Sequence, residues 1–253
     1  MYFESHAHYD DERFDEDRYA LIERLYNECG VHNIINIGAD IPSSERSIAL
    51  ADKYDFIYAA VGVHPHEADS LNEENFKHLK ELTKHKKVVA VGEIGLDFYY
   101  DNSPRDIQRY WFKRQLELAK EIRLPVVIHC RDASQECFDI IKESGVRRGV
   151  IHCYSGSPEM AEEYVKMGFK IGVGGVVTFK NSKKLVETVE RIPMESILIE
   201  TDSPYLAPIP FRGERNDSSN LKYVVKKIGE IKNLTPEEVA DITSNNAVEL
   251  FFK

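Results

Sequence analysis

Val88-Val89-Ala90-Val91-Gly92-Glu93-Ile94-Gly95-Leu96-Asp97 is an apolar, β-branched run that ends in acids. Val88–Leu96 is expected to be a strand with Val89, Val91 and Glu93 on one face, since alternate residues of a strand share a side. A carboxylate among inward-pointing valines is buried, and a buried charge without a partner is costly. The strand holds no Lys or Arg. A cation is therefore the expected partner, with a salt bridge to a buried arginine as the plainer reading. Working outward, His6 and His8 close an N-terminal apolar stretch, and His129, His152 and Asp202 each close a later one. Strand ends that deliver imidazoles and carboxylates predict a metal site assembled across a barrel, with Glu93 bridging two cations. That is the chemistry of a metal-dependent hydrolase.

Eight runs are expected to be strands: 2–6, 33–37, 56–63, 88–96, 125–129, 149–152, 169–173 and 196–201. The segments between them have helical patterning. Across 106–123, Trp111, Gln115, Leu118 and Ile122 recur at helical spacing. Thr235-Pro236-Glu237-Glu238 combines an N-cap, a first-turn proline and early acids. Alternating βα units over 253 residues predict a (β/α)8 TIM barrel, with its active site at the C-terminal strand ends. A doubly wound open sheet is the alternative, but it would gather ligands at one switch point. Here they come from the first, fourth, fifth, sixth and eighth strands. No linker-like stretch interrupts the chain, so one domain over residues 1–253 is expected.

The net charge is −10, and no basic stripe of the kind a broad nucleic-acid face needs is visible. This counts against tight duplex binding but not against a pocket for one strand end. No apolar run reaches the roughly 18 residues of a membrane span, and Met1–His6 lacks signal-peptide character. A cytoplasmic location, with no membrane and no obligate protein partner, is expected. The four cysteines suggest free thiols, with Cys130 and Cys153 facing away from their neighbouring histidines.

His6 and His8, two apart on a strand, face one side and suit one cation. Alone, such a pair is equally a surface feature; the later strand ends favour ligands. Glu4 is expected one layer deeper on that face, orienting an imidazole. His129 and His152, at equivalent positions of neighbouring strands, suit a second cation. Asp202 is placed to bind metal, to accept a proton from water, or both, with Glu200 supporting it from below. His64, in Gly62-Val63-His64-Pro65-His66, is expected to contact a substrate oxygen, and His66 to support that loop. Arg131 is expected to meet substrate anions. Tyr154 leads into Ser155-Gly156-Ser157-Pro158, a helix entry whose free N–H groups can receive an anion.

These residues together resemble the TatD family of metal-dependent hydrolases in the amidohydrolase-like barrel group. The resemblance covers the whole chain. It is carried by Ser5-His6-Ala7-His8, Gly62-Val63-His64-Pro65-His66, Gly92-Glu93-Ile94-Gly95-Leu96-Asp97, Ile128-His129-Cys130-Arg131, His152-Cys153-Tyr154-Ser155-Gly156 and Glu200-Thr201-Asp202-Ser203-Pro204-Tyr205-Leu206. It implies two divalent metal ions (zinc, manganese, magnesium or iron), Glu93 and Asp202 as catalytic residues, and deoxyribonuclease activity, including 3′ to 5′ action on single-stranded DNA. One ion would sit on His6, His8, Glu93 and Asp202, the other on Glu93, His129 and His152. His64, Arg131 and Arg215 would hold phosphate oxygens. The chain departs from the family in having Glu4 where Asp is frequent. It also reads Arg212-Gly213-Glu214-Arg215-Asn216-Asp217-Ser218 where a lysine usually stands at the position of Glu214.

Two other functions fit parts of this pattern. The same two-metal site can hydrolyse a carboxylic ester or amide, including an aminoacyl-tRNA ester. A non-catalytic scaffold barrel is a third reading, and the complete ligand set argues against it.

Overall fold

The computed structural model describes residues 1–253. Its strands are Tyr2–Ala7 (β1), Val31–Ile37 (β2), Ile57–Val61 (β3), Val88–Asp97 (β4), Val126–Arg131 (β5), Gly149–Ile151 (β6), Phe169–Val173 (β7) and Ile197–Ile199 (β8). Between and after them run helices Arg18–Glu28 (α1), Ile41–Lys53 (α2), Glu73–Leu82 (α3), Arg105–Ile122 (α4), Ser134–Ser144 (α5), Pro158–Lys166 (α6), Lys183–Arg191 (α7), Leu221–Lys232 (α8) and Pro236–Phe252 (α9). The strands pair in parallel in the order β1 to β8. A parallel bridge between Ala7 and Ser203 brings β1 back against the chain beyond β8. His8 N donates to Ser203 O at 2.8 Å there, and Asp202 N to His6 O at 2.9 Å. The ring therefore closes at the residues expected to carry chemistry, as the (β/α)8 reading requires.

Two apolar clusters account for this shape. The larger packs outward-facing strand residues such as Ile34, Val91 and Ile171 against the helices. The smaller fills the barrel with Phe3, Ile35, Ile37, Val89, Val127, Val150 and Leu198. Leu250 and Phe251 of α9 join it, and the Phe251 ring stacks 6.0 Å from Phe3. The N-terminal end of the barrel is thus plugged, and the C-terminal end is left for the site. Thr235 starts α9 as expected, exchanging hydrogen bonds with Glu238 around Pro236. No helix is long and apolar enough to cross a membrane.

Strand alternation fails where the register between strands shifts. Val91 faces outward into the helix layer, not inward with Val89 and Glu93, because the β3–β4 register slips between Val88 and Ala90 and turns Val89 and Ala90 both inward. The register shifts between Val91 and Ile94, and this lets Gly92 and Glu93 both turn to the interior side. On β1 the register with β2 also shifts between Glu4 and Ala7. The ends of β6 and β8 are shorter than expected because carboxylates capture their backbone. Thr201 N donates to Glu4 at 2.9 Å and Cys153 N to Glu200 at 2.5 Å.

Buried glutamines of α4 set two site loops. Gln115 accepts from Val63 N at 2.8 Å and donates to Val63 O at 3.1 Å. Gln108 accepts from Asp97 N at 2.9 Å and donates to Ser103 O at 2.8 Å. The backbone before His64 and that after Glu93 are held by one rigid helix.

Candidate metal centre

Glu93 stands where five imidazoles and a second carboxylate converge, and it is nearly fully buried. Its two oxygens face different groups. Oε1 lies 2.9 Å from His129 Nδ1, 3.2 Å from His152 Nε2 and 3.7 Å from His64 Nε2. Oε2 lies 3.3 Å from His6 Nε2 and 4.0 Å from His8 Nε2. Asp202 Oδ1 closes the second group, 3.6 Å from both His6 and His8. The cavity above them has a volume of about 700 Å³.

The tautomers follow from what each outer nitrogen meets. His8 Nδ1 is 2.9 Å from Ile37 O, a pure acceptor, so Nδ1 carries the proton and Nε2 offers its lone pair to the centre. His129 Nε2 is 3.0 Å from Asp97 Oδ2, which leaves Nδ1 for the centre. His152 Nε2 points inward to Glu93, and its Nδ1 lies 3.3 Å from Glu200 Oε1 as an ion-pair contact without hydrogen-bond geometry. Metal-binding histidines are commonly held in this way, with the distal N–H given to a carboxylate or a carbonyl. His64 is the opposite case. Its Nδ1 accepts from His66 N at 3.1 Å, so the neutral ring has its proton on the Nε2 that faces the cavity. It is a donor there and offers no lone pair.

The donor set fits divalent cations. His6 Nε2 and His8 Nε2 are 3.2 Å apart and both face the Glu93 and Asp202 carboxylates, so nitrogen and oxygen donors surround one point. No Lys or Arg pairs with Glu93; only imidazoles face it. Burial opposes its charge, yet His152, His6 and His64 hold its pKa well below the usual carboxylate range. Those imidazoles do not all supply charge, because burial lowers His6 and takes His64 well below its ordinary value. His8 and His129 are also buried, but Asp202 beside the first and Asp97 and Glu93 beside the second raise each to about 9. Nitrogen and carboxylate donors of this kind suit zinc, manganese or iron, and magnesium less well.

A family profile described as TatD related DNase matches residues 3–252. The chain belongs to the TatD family. It is 48% identical over 253 residues to YabD of Bacillus subtilis, named an uncharacterised metal-dependent hydrolase, with 99% of each chain covered. It is 36% identical over 247 residues to a protein of Rahnella named 3′-5′ ssDNA/RNA exonuclease TatD, covering 94% of both. The crystal structure of YjjV, a TatD homologue from Escherichia coli, superposes with a TM-score of 0.93 at 33% identity, covering 99% of this chain and 97% of that one. The protein is thus a metal-dependent hydrolase of the TatD family.

Not every residue expected in this TatD site reaches it. Glu4 orients no imidazole: its carboxylate accepts from Thr201 N, Thr201 Oγ1, Ser218 Oγ and, at 3.2 Å, the backbone N of His6. The register shift beside it turns the side chain toward the loop after β8. Burial raises it to about 7 despite these donors. Tyr154 is turned away from the cavity, its hydroxyl donating to Ser157 O at 2.6 Å. β6 has ended before it, and Cys153 at φ 43° breaks the alternation with His152. The helix entry after it is closed by Ser157, which accepts from Met160 N at 3.2 Å. Arg215 is held outside by Asp17, at 2.5 and 2.8 Å, and by Arg13 O. His64 and Arg131 do line the cavity. Glu200 lies beneath the site as expected, against Gly172, where a Cβ would sit 2.4 Å from its Oε2.

The sequence reading passed over Asp97. It is fully buried, accepts from Tyr99 N and Tyr100 N, and meets His66 Nε2 at 2.8 Å and His129 Nε2 at 3.0 Å. Burial opposes its ionisation, but these donors hold it well below the carboxylate range. Its even spacing from Glu93 was the available signal.

Proposed function

We propose that the protein hydrolyses phosphodiester bonds as a 3′ to 5′ exonuclease on single-stranded DNA, using two divalent ions. One would be held by His6, His8, Glu93 and Asp202, the other by Glu93, His129 and His152. The observation that carries this reading is the split of the Glu93 oxygens, each toward its own imidazoles. The similarity to the Rahnella protein named a 3′-5′ ssDNA/RNA exonuclease supports the substrate. Bound divalent ions would make water nucleophilic near neutral pH and offset the charge of the phosphate.

The chain's own residues do the rest. The Asp202 carboxylate, held ionised by His8 despite burial, takes the proton of the attacking water. His64 donates its Nε2–H to a non-bridging oxygen, as its tautomer allows. Arg131 at the rim meets the phosphate of a neighbouring nucleotide. Asp97 keeps the ring of His129 from turning, and Glu200 sets its charge beside His152.

Stripping divalent ions should abolish release of nucleotides from the 3′ end of a single-stranded oligonucleotide, and adding them back should restore it. Undiminished cleavage by the Glu93→Ala protein in excess chelator would overturn the mechanism. Brisk hydrolysis of carboxylic esters by the metal-loaded protein, with no cleavage of any phosphodiester, would move the assignment to that bond.

A further inference from the structure

The mouth of the cavity carries aromatic surface that the metal chemistry does not use. Tyr100, after β4, is 54% exposed and Tyr205, after β8, is 45% exposed, and both line the cavity. Fourth and eighth strands lie opposite one another in an eight-membered ring, so these tyrosines stand on facing sides of the mouth. Each is backed by a guanidinium. Arg131 lies 4.7 Å from the Tyr100 centroid and 4.2 Å from that of Tyr99, and Arg13 lies 4.1 Å from that of Tyr205. Each also meets a site histidine near a right angle: His66 at 5.3 Å from Tyr100, His8 at 6.3 Å from Tyr205. A ring fixed on one side and half bare is a platform.

Charge says what these platforms are for. Asp10, Asp11, Asp40 and Glu67 line the cavity beside the metal-site acids. Of the two lining arginines, Arg46 is paired with Asp10 at 3.2 Å and Arg131 lies against the Tyr99 and Tyr100 rings, while Arg13, behind Tyr205, is paired with Asp11 at 2.9 Å. Such a mouth repels the backbone of a polyanion, so grip must come from elsewhere. Stacking of a base on an aromatic face contributes roughly five- to a hundred-fold in affinity and tolerates any base.

We propose that Tyr100 and Tyr205 each stack one nucleobase, one on either side of the scissile phosphodiester, with Arg131 and Arg13 as their backing. The proposal rests on the nuclease reading above and deepens it: the substrate is an unpaired strand, because bases within a duplex are already stacked and cannot lie on a protein ring.

The test compares kcat/KM for a single-stranded oligonucleotide with that for the same strand made abasic at its two 3′-terminal positions, under saturating metal. The wild-type ratio should be about ten or more. Tyr100→Ala and Tyr205→Ala should each bring it toward one, mainly through KM, while Tyr100→Phe and Tyr205→Phe keep it. Tyr19→Ala, an exposed tyrosine on α1 away from the cavity, should leave it unchanged. Quenching of 2-aminopurine placed at the 3′ end should fall in the two alanine variants. A wild-type ratio near one, or alanine variants with the wild-type ratio, would overturn the platforms and leave the nuclease reading standing. Inactivity of the wild type on every oligonucleotide, with turnover of other esters, would remove that reading and this inference with it.

Discussion

At the scale of single residues, the site depends on groups that never face the substrate. Asp97 is the clearest. One oxygen fixes the turn after β4 through Tyr99 N and Tyr100 N, and the other faces His66 and His129. In Asp97→Asn, the amide oxygen can keep the turn, which leaves the NH2 against the rings. His129 Nε2 must then accept, and its proton moves to the Nδ1 that faces Glu93. The imidazole would offer an N–H where the centre needs a lone pair. Loss of an outer partner of a metal-binding histidine typically costs 10- to 100-fold in metal affinity or activity. We expect a loss in that range for Asp97→Asn, with an unchanged circular dichroism spectrum. Metal titration by calorimetry would check it, and wild-type affinity would show that Asp97 serves only the turn.

At the scale of elements, α4 holds the loops that the chemistry needs. The Gln115 amide satisfies both backbone groups of Val63, next to His64, away from solvent. Gln115→Leu keeps similar bulk and leaves that N–H and C=O unpaired. Each such group costs about 1–3 kcal/mol, so denaturant unfolding should show a loss of about 2–5 kcal/mol. Stability within 0.5 kcal/mol of wild type, a margin usual for neutral substitutions, would mean water replaces the amide. The same helix shows how far sequence reaches. Its apolar spacing and the eight apolar strands were legible, because period and composition are local properties. So were His6, His8, Glu93, His129, His152 and Asp202, since each ends such a strand. What alternation could not show is where a strand slips. The shifts near Glu4 and Val89 reverse the side a residue faces, so Glu4 and Val91 were misplaced. Tyr154 and Arg215 lie beyond strand ends, where the backbone follows carboxylates and ion pairs from distant segments.

At the scale of the whole molecule, an acidic barrel with a net charge of −10 is proposed to act on a polyanion. Proteins that hold nucleic acid through lysines and arginines release counterions, and their affinity falls steeply with salt. Here Arg131, His64 and the bound cations would meet only about two phosphates, and Arg215, an expected contact, is spent on Asp17. For a single strand, the logarithmic slope is about −0.7 per phosphate neutralised. From 50 to 200 mM salt at saturating metal, kcat/KM should therefore drop by less than about ten-fold. A protein gripping six phosphates through surface cations would lose on the order of several hundred-fold over that range. Such a loss would point to a basic track that this surface does not display. A shallow slope, by contrast, places recognition at the strand end within the cavity, where local contacts act on a chain that otherwise repels its substrate.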